Sequence, residues 1–422
     1  MIEKLINKFF FVIVGAIAAI ASVSVHAATA LEQLGRSIFF DRNLSLNRNQ
    51  ACVSCHVPAM GWSGPNAAFN AAGAAHQGSI VGRFGTRKPP SAAYATFSPF
   101  FHLRFNEFVG GNFWDGRATG EKLGDPTADQ AQKPFLNPVE QALPDSACVV
   151  YRVCNADGYS GQFQQVWGSY SCAIGWPHDI ERACATEGAT VRLSLFDRMT
   201  SDRVYGLIAQ SIAAFEGSSE ANAFSSKLDQ SLQGNVILTA QEQRGFELFK
   251  GEARCARCHE ASGGKPLFTD FTFENLGVPK NPANPAYNAN PHFVDLGLGG
   301  FLETKLWYWF LGRANYGKHK IPTLRNVDKR PNPGFVKAYT HNGFFKSLKG
   351  IVHFYNTRDI KDHCPDGYTE AQALTEDCWP APEVAANVNN NDLGNLGLSD
   401  EDEDAIVAFL QTLSDGFDPN AH

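Results

Sequence analysis

The chain has 422 residues, with 36 Lys and Arg against 43 Asp and Glu and a formal net charge of −7. It is long enough for two domains with cores of their own. Its acidic balance and scattered basic residues exclude nucleic acid as a partner, because no basic patch or stripe is there to neutralise phosphates.

Residues 1–27 read as an export signal: Lys4 and Lys8 give a positive start, Phe9 to Ala21 an apolar run, and Val25-His26-Ala27 a small-residue cleavage site. A single membrane anchor is the competing reading. The small-residue site follows the apolar run at once and no basic stop-transfer cluster does, so cleavage after Ala27 is expected. That predicts a periplasmic protein, or one on the outer surface, with no stable membrane insertion.

Along the mature chain, Leu34-Gly-Arg-Ser-Ile-Phe39-Phe40 predicts a short helix leading into Cys52-Val-Ser-Cys55-His56. The pattern returns 203 residues later, where Gly245-Phe-Glu-Leu-Phe249 leads into Cys255-Ala-Arg-Cys258-His259. A duplicated module is expected, with residues 28–235 as one domain and 236–422 as the other. The division falls where Gln233-Gly234-Asn235 interrupts helical patterning. Helices are expected over 202–215 and 399–413, the latter opened by Ser399-x-x-Asp402, a capping-box variant. Between them run long stretches rich in Gly, Pro and Asn, such as 277–291, which need something other than a core to order them. Of the ten cysteines, Cys148, Cys154, Cys172, Cys184, Cys364 and Cys378 lie outside the CxxC pairs. An even remainder in an exported chain reads as up to three disulfides. Proximity pairs Cys364 with Cys378; the other four can pair in three ways.

C-x-x-C-H is the attachment signature of c-type haem. Two thiols three residues apart lie on one face of a helical turn and reach the two vinyl groups. The adjacent histidine points its imidazole at the iron. Zinc would need further paired ligands at close range, and a redox CxxC needs no following histidine. Two covalent haem c groups are therefore expected, held by Cys52, Cys55, Cys255 and Cys258, with His56 and His259 as proximal ligands. The fold expected is mainly α: two cytochrome-c-like haem domains, long ordered loops and little strand.

Phe113-Trp114-Asp115-Gly116-Arg117-Ala118, the stretch from Gln130 to Asn137-Pro138-Val139-Glu140, Phe268-Thr-Asp270, Asn275-Leu-Gly277-Val-Pro279, Ile321-Pro322-Thr-Leu324-Arg325-Asn326, His341-Asn342-Gly343 and Phe354-Tyr355-Asn356 carry a resemblance. On these motifs the chain resembles the bacterial di-haem cytochrome c peroxidase/MauG family from about residue 34 to 413, with insertions around 119–125 and 145–185. The resemblance implies a peroxide site at the first haem and a second haem that stores or relays oxidising equivalents. It makes Trp114 the bridge between them, an ordinary buried aromatic being the alternative. Gln130 and Glu140 match distal-pocket positions over the first haem, where a carboxylate shuttles a proton between the peroxide oxygens.

The second haem decides the sub-class. Peroxidases fed by small cytochromes usually give it a methionine ligand, which raises its potential. The chain has only Met1, Met60 and Met199, none of them after His259. Aligned on His341-Asn342-Gly343, the ligand position is Tyr355, as in MauG-type members, and a phenolate favours the oxidised states of iron. Tyr355 as a packed aromatic, with His353 or His341 as ligand, is the competing reading. Three departures bear on the family's other features. Calcium is doubtful, because Lys88 follows Arg87 where an asparagine ligand is usual and Val336-Lys337-Ala338 replaces Thr-x-Pro. Ala253 stands where MauG-type members carry the tryptophan that hands charge to a protein substrate. His76 lies in a segment that supplies a second axial histidine in resting peroxidases, and its ligation is left open. The aromatic run Trp307-Tyr308-Trp309-Phe310 reads either as packed core or as an exit path for oxidising equivalents.

The function these readings favour is a MauG-like oxidoreductase: hydrogen peroxide forms high-valent iron and a tryptophan or tyrosine of a protein partner is oxidised. The alternatives are a cytochrome-c peroxidase scavenging peroxide with electrons from a small redox protein, and a non-catalytic di-haem electron-transfer cytochrome.

Overall fold

A computed structural model describes residues 28–420; the expected leader, residues 1–27, lies outside that range. Five helices carry the frame: α1 (Ala30–Phe40), α2 (Leu195–Glu216), α3 (Ala240–Lys250), α4 (Leu348–Thr357) and α5 (Asp400–Gln411). Strand is confined to two antiparallel pairs among the described residues. His102–Arg104 (β1) pairs with Glu107–Val109 (β2), and Phe273–Glu274 (β3) with His319–Lys320 (β4). The chain is mainly α, as its motifs imply.

The two lead-in helices are built alike. α1 and α3 both open with a reciprocal cap, Thr29 with Glu32 and Thr239 with Glu242, so each lead-in helix starts at a defined residue. α1 crosses α2 at Gly35, where a Cβ would overlap the Ser211 carbonyl; α3 crosses α5 at Gly245, where a Cβ would overlap the Ala405 carbonyl. One turn on, Phe39 meets Phe215 with ring centroids 5.2 Å apart, and Phe249 meets Phe409, also at 5.2 Å. Such ring pairs add about 0.5–1.5 kcal/mol each beyond the area they bury. The glycine sets the helix separation and the phenylalanine locks the crossing, once in each half.

Two main apolar clusters result, one running from Leu34 to Ala221 and the other from Leu228 to Leu413. The cores part between residues 221 and 228, just ahead of the proposed division near 235. A third, smaller cluster joins the halves: Phe101 and Phe108 come from the first, Phe273, Leu298 and Leu302 from the second.

α2 begins seven residues before the position periodicity suggests. Its first turns expose Leu195, Phe196 and Met199, so no apolar stripe marks them; the start is set by Ser194, whose hydroxyl accepts the Asp197 N–H. At α5 the Ser399 hydroxyl likewise accepts the Asp402 N–H. Disulfides join Cys148 to Cys184, Cys154 to Cys172 and Cys364 to Cys378. The first two staple the 145–185 insertion, and each closed loop contributes about 2–4 kcal/mol.

Candidate haem sites and the seam between them

Each CxxCH follows its lead-in helix as a single 3-10 turn, Cys52–Ser54 and Cys255–Arg257. The turn sets both thiols against a cavity. The first cavity, ≈ 720 Å³, is lined by Cys52, Cys55 and His56; the second, ≈ 170 Å³ and narrower, by Cys255, Cys258 and His259. All four thiols are free. Burial pushes Cys52, Cys255 and Cys258 up to about 12, and Cys55 upward for the same reason. Reactive redox or metal-binding cysteines show the opposite shift, toward the thiolate. Neutral thiols beside a cavity suit thioether attachment instead.

The imidazoles are oriented alike. His56 Nδ1 lies 3.1 Å from the Trp62 carbonyl and His259 Nδ1 lies 2.8 Å from the Phe268 carbonyl. A carbonyl only accepts, so Nδ1 carries the proton and donates it, leaving Nε2 for iron. Burial holds both rings neutral, with pKa values lowered to about 4. The residues present fit a c-type haem in each cavity.

Gln130 and Glu140 both line the first cavity. Glu140 Oε2 is buried without a hydrogen-bond partner, and burial raises its pKa against the opposing pull of Arg117. That is a carboxyl kept ready to hold a proton. His76 also lines this cavity, with Nδ1 against the Gln77 carbonyl and its ring stacked on Phe69, centroids 4.8 Å apart.

Trp114 lines both cavities. Its indole N–H donates to the Lys88 carbonyl at 2.8 Å, and its own carbonyl accepts the Lys320 N–H at 2.7 Å. The ring meets His341 edge-on at 6.5 Å. The preceding Phe113 is held at φ 66°, a left-handed conformation that costs a side-chain-bearing residue about 1–3 kcal/mol. The Arg117 guanidinium sits 3.9 Å over its ring, an attraction that offsets part of this.

In the second cavity Tyr355 shares the lining with His259, and burial raises its phenol further above the ordinary range. No methionine among the described residues lines either cavity. His353 is turned away: its Nδ1 lies 2.9 Å from Glu403 and it is absent from the lining. His341 does reach the lining, stacked on His319 at 3.5 Å.

The seam holds residues that the sequence did not announce. Arg87 bridges Asp115 and Asp295 at 2.6 Å each, joining the two halves. Asp295, His319 and Glu383 line the second cavity and Glu216 the first. The only local signal was His319-Lys320 standing directly before Ile321-Pro322; nothing around Asp295 marks it. The calcium position is filled by amines. Lys88 Nζ donates to Ser63 Oγ at 2.7 Å and the Pro89 carbonyl at 3.1 Å. Lys337 Nζ donates to the carbonyls of Met60 at 3.0 Å, Lys329 at 2.8 Å and Asn326 at 3.4 Å. Oxygens already taken by ammonium protons do not fit a divalent cation. The packed-core reading of the aromatic run fails, because Leu306, Trp307, Trp309 and Phe310 are all exposed and only Tyr308 turns inward. No helix among the described residues is long and apolar enough to cross a membrane.

Residues 29–236 match the family described as di-haem cytochrome c peroxidase. Over 399 residues the chain is 32% identical to the methylamine utilization protein MauG of Paracoccus denitrificans, spanning 92% of this chain and 89% of that protein. It is 24% identical over 395 residues to the cytochrome-c peroxidase IdrP2 of Denitromonas iodatirespirans, spanning 90% and 81%. Among solved structures, the diheme peroxidase BthA from Burkholderia thailandensis superposes with a TM-score of 0.72 at 28% identity, covering 93% of this chain and 88% of its own.

Proposed function

Because the chain belongs to the di-haem cytochrome c peroxidase/MauG family and is a haem peroxidase-type oxidoreductase with two covalently bound haem c groups, we propose that it reduces hydrogen peroxide in the first cavity and takes the electrons from a protein partner. The oxidised group on that partner is a tryptophan or tyrosine side chain, and the compartment is the periplasm. The haem groups supply the redox chemistry. His56 and His259 would hold the irons through Nε2, the ring nitrogen that their Nδ1 contacts with the Trp62 and Phe268 carbonyls leave free. Glu140 gives a proton to one peroxide oxygen and takes one from the other, and Gln130, in the lining of the same cavity, orients the substrate. Trp114, in the wall of both cavities, passes oxidising equivalents between them.

One observation carries the choice of a protein-oxidising enzyme over a cytochrome-fed scavenger: Tyr355 lines the second cavity opposite no methionine. A hard anionic phenolate stabilises oxidised iron, whereas a thioether stabilises reduced iron and so makes the haem a better acceptor of electrons from a small cytochrome. Optical and EPR spectra of the ferric protein test this. One high-spin haem and one low-spin haem without the far-red band of a His/Met pair are expected, both responding to stoichiometric peroxide. A His/Met band, or rapid peroxide-dependent oxidation of a reduced small cytochrome, would overturn the reading.

A further inference from the structure

The seven tryptophans divide sharply. Trp62, Trp114 and Trp379 are buried, and Trp167 and Trp176 are half-buried in the stapled insertion. Trp307 and Trp309 are 79% and 62% exposed, flanked by exposed Leu306 and Phe310. Large apolar side chains exposed side by side in this way, rather than scattered singly, mark a candidate functional surface. Between the two tryptophans, Tyr308 turns inward onto Phe108 at 5.2 Å and Phe101 at 6.4 Å. Phe101 in turn meets Phe301 at 5.5 Å, and Phe301 lines the first cavity. Phe101 and Phe273 also close over Gly116, two residues beyond Trp114; at φ +75° with those rings against it, this position admits no side chain. A single ring, Phe101, therefore separates Tyr308 from a ring in the cavity wall. Tunnelling falls off exponentially with separation, so this short aromatic bridge is a favoured way out.

We propose that segment 306–310 is the surface terminus through which oxidising equivalents leave the protein, with Tyr308 as the inner station and Trp307 and Trp309 as the outer ones. This rests on the peroxide chemistry proposed above. One electron moves from an exposed indole through Tyr308 into the first cavity, and the indole N–H proton passes to the bulk water around that ring. Two such withdrawals supply the two electrons and two protons that convert one hydrogen peroxide into two waters. In turnover the external donor refills the indoles; without one, a second electron leaves the same indole and a water adds to the ring with loss of a further proton, so one peroxide leaves one hydroxylated tryptophan.

The holoprotein with both haems is treated with stoichiometric peroxide, without an external donor, and oxidised residues are mapped by peptide mass spectrometry. Oxidation is expected to concentrate on Trp307 and Trp309, several-fold above the half-buried Trp167 and Trp176. Tyr308→Phe keeps the edge-to-face ring contacts with Phe101 and Phe108 but removes the oxidisable phenol. It should lower that oxidation several-fold while both haems keep their spectral response to peroxide. A parallel sample with cyanide on the ferric haem controls for direct attack by free peroxide. Equal labelling with and without cyanide, or labelling unchanged in Tyr308→Phe, or labelling centred elsewhere, overturns the proposal. Loss of the spectral response in the parent protein instead overturns the peroxide chemistry on which it rests.

Discussion

Replacing Trp114 by phenylalanine separates a relay role from a packing role. The indole N–H donates to the Lys88 carbonyl at 2.8 Å in a site only 8% exposed. Phenylalanine leaves that carbonyl unpaired, which costs about 1–3 kcal/mol. The smaller ring adds about 1 kcal/mol for the void it leaves. Each kcal/mol moves the melting temperature of a large domain by roughly 2–4 °C, so a lowering of several degrees is expected on either view. His56, His259 and the four CxxC thiols are untouched, so pyridine haemochrome analysis should still return two haems per chain. Gln130 and Glu140 remain in place, so the first haem should still respond to peroxide. What should disappear is the response of the second haem, followed by EPR and optical spectra after one equivalent. A variant that melts earlier while both haems respond as in the parent would refute the relay.

Three further outcomes follow. Tyr355→His should retain both haems but lose the long-lived peroxide-oxidised state; formation at parental yield would remove Tyr355 from the ligand set. Chelator-washed protein should contain little calcium by elemental analysis, and its haem spectra should not change on adding calcium; near-stoichiometric calcium that shifts the spectra would contradict the amine-filled seam. Glu216, buried at the end of α2, has its pKa pushed up to about 8 by burial, with Asp125 adding to the shift. A carboxyl raised in the folded state withdraws stability as pH climbs from its unfolded value toward 8, by about 1.4 kcal/mol per pH unit. Thermal melts should therefore show Glu216→Gln gaining on the parent between pH 5 and 8, and a constant difference would exclude that ionisation.

How much of this was legible in the sequence depended on whether the signal was local. The cysteines and histidines of the two CxxCH motifs announce themselves because covalent haem attachment demands a fixed five-residue spacing. The lead-in helices were visible because Gly35 with Phe39 and Gly245 with Phe249 repeat a four-residue interval. The Cys364–Cys378 bridge spans 14 residues and followed from proximity. The other two pairings are nested, Cys154–Cys172 inside Cys148–Cys184, and only the folded insertion selects them. The seam was opaque for the same reason. Asp295 is 208 positions from Arg87, and no periodicity links a charge to a partner so distant. The exposed tryptophans were hard to read because an aromatic run has the same composition on a surface as in a core.

The same seam residues that join the halves also position Trp114, and that coupling can be tested through Lys337. Its ammonium donates to the Met60 carbonyl from the first half and to those of Lys329 and Asn326 from the second. Lys88, whose carbonyl anchors the indole of Trp114, lies close enough to repel it. Burial, then that repulsion, lowers Lys337 to about 7. A lysine depressed in the folded state withdraws a full, constant stability below its folded pKa. The loss is relieved as pH rises from about 7 toward the unfolded value, because the unfolded chain holds the proton longer. Lys337→Met abolishes this titration and leaves the carbonyls unpaired, a loss that does not depend on pH. The difference in stability between parent and variant should thus be flat below pH 7 and move in the parent's favour from pH 7 to 10. The expected slope approaches about 1.4 kcal/mol per pH unit. Chemical denaturation across that range measures it directly. A difference that stays level throughout would mean that Lys337 keeps its proton, and that the seam is held by a fixed charge at every pH at which the enzyme is folded.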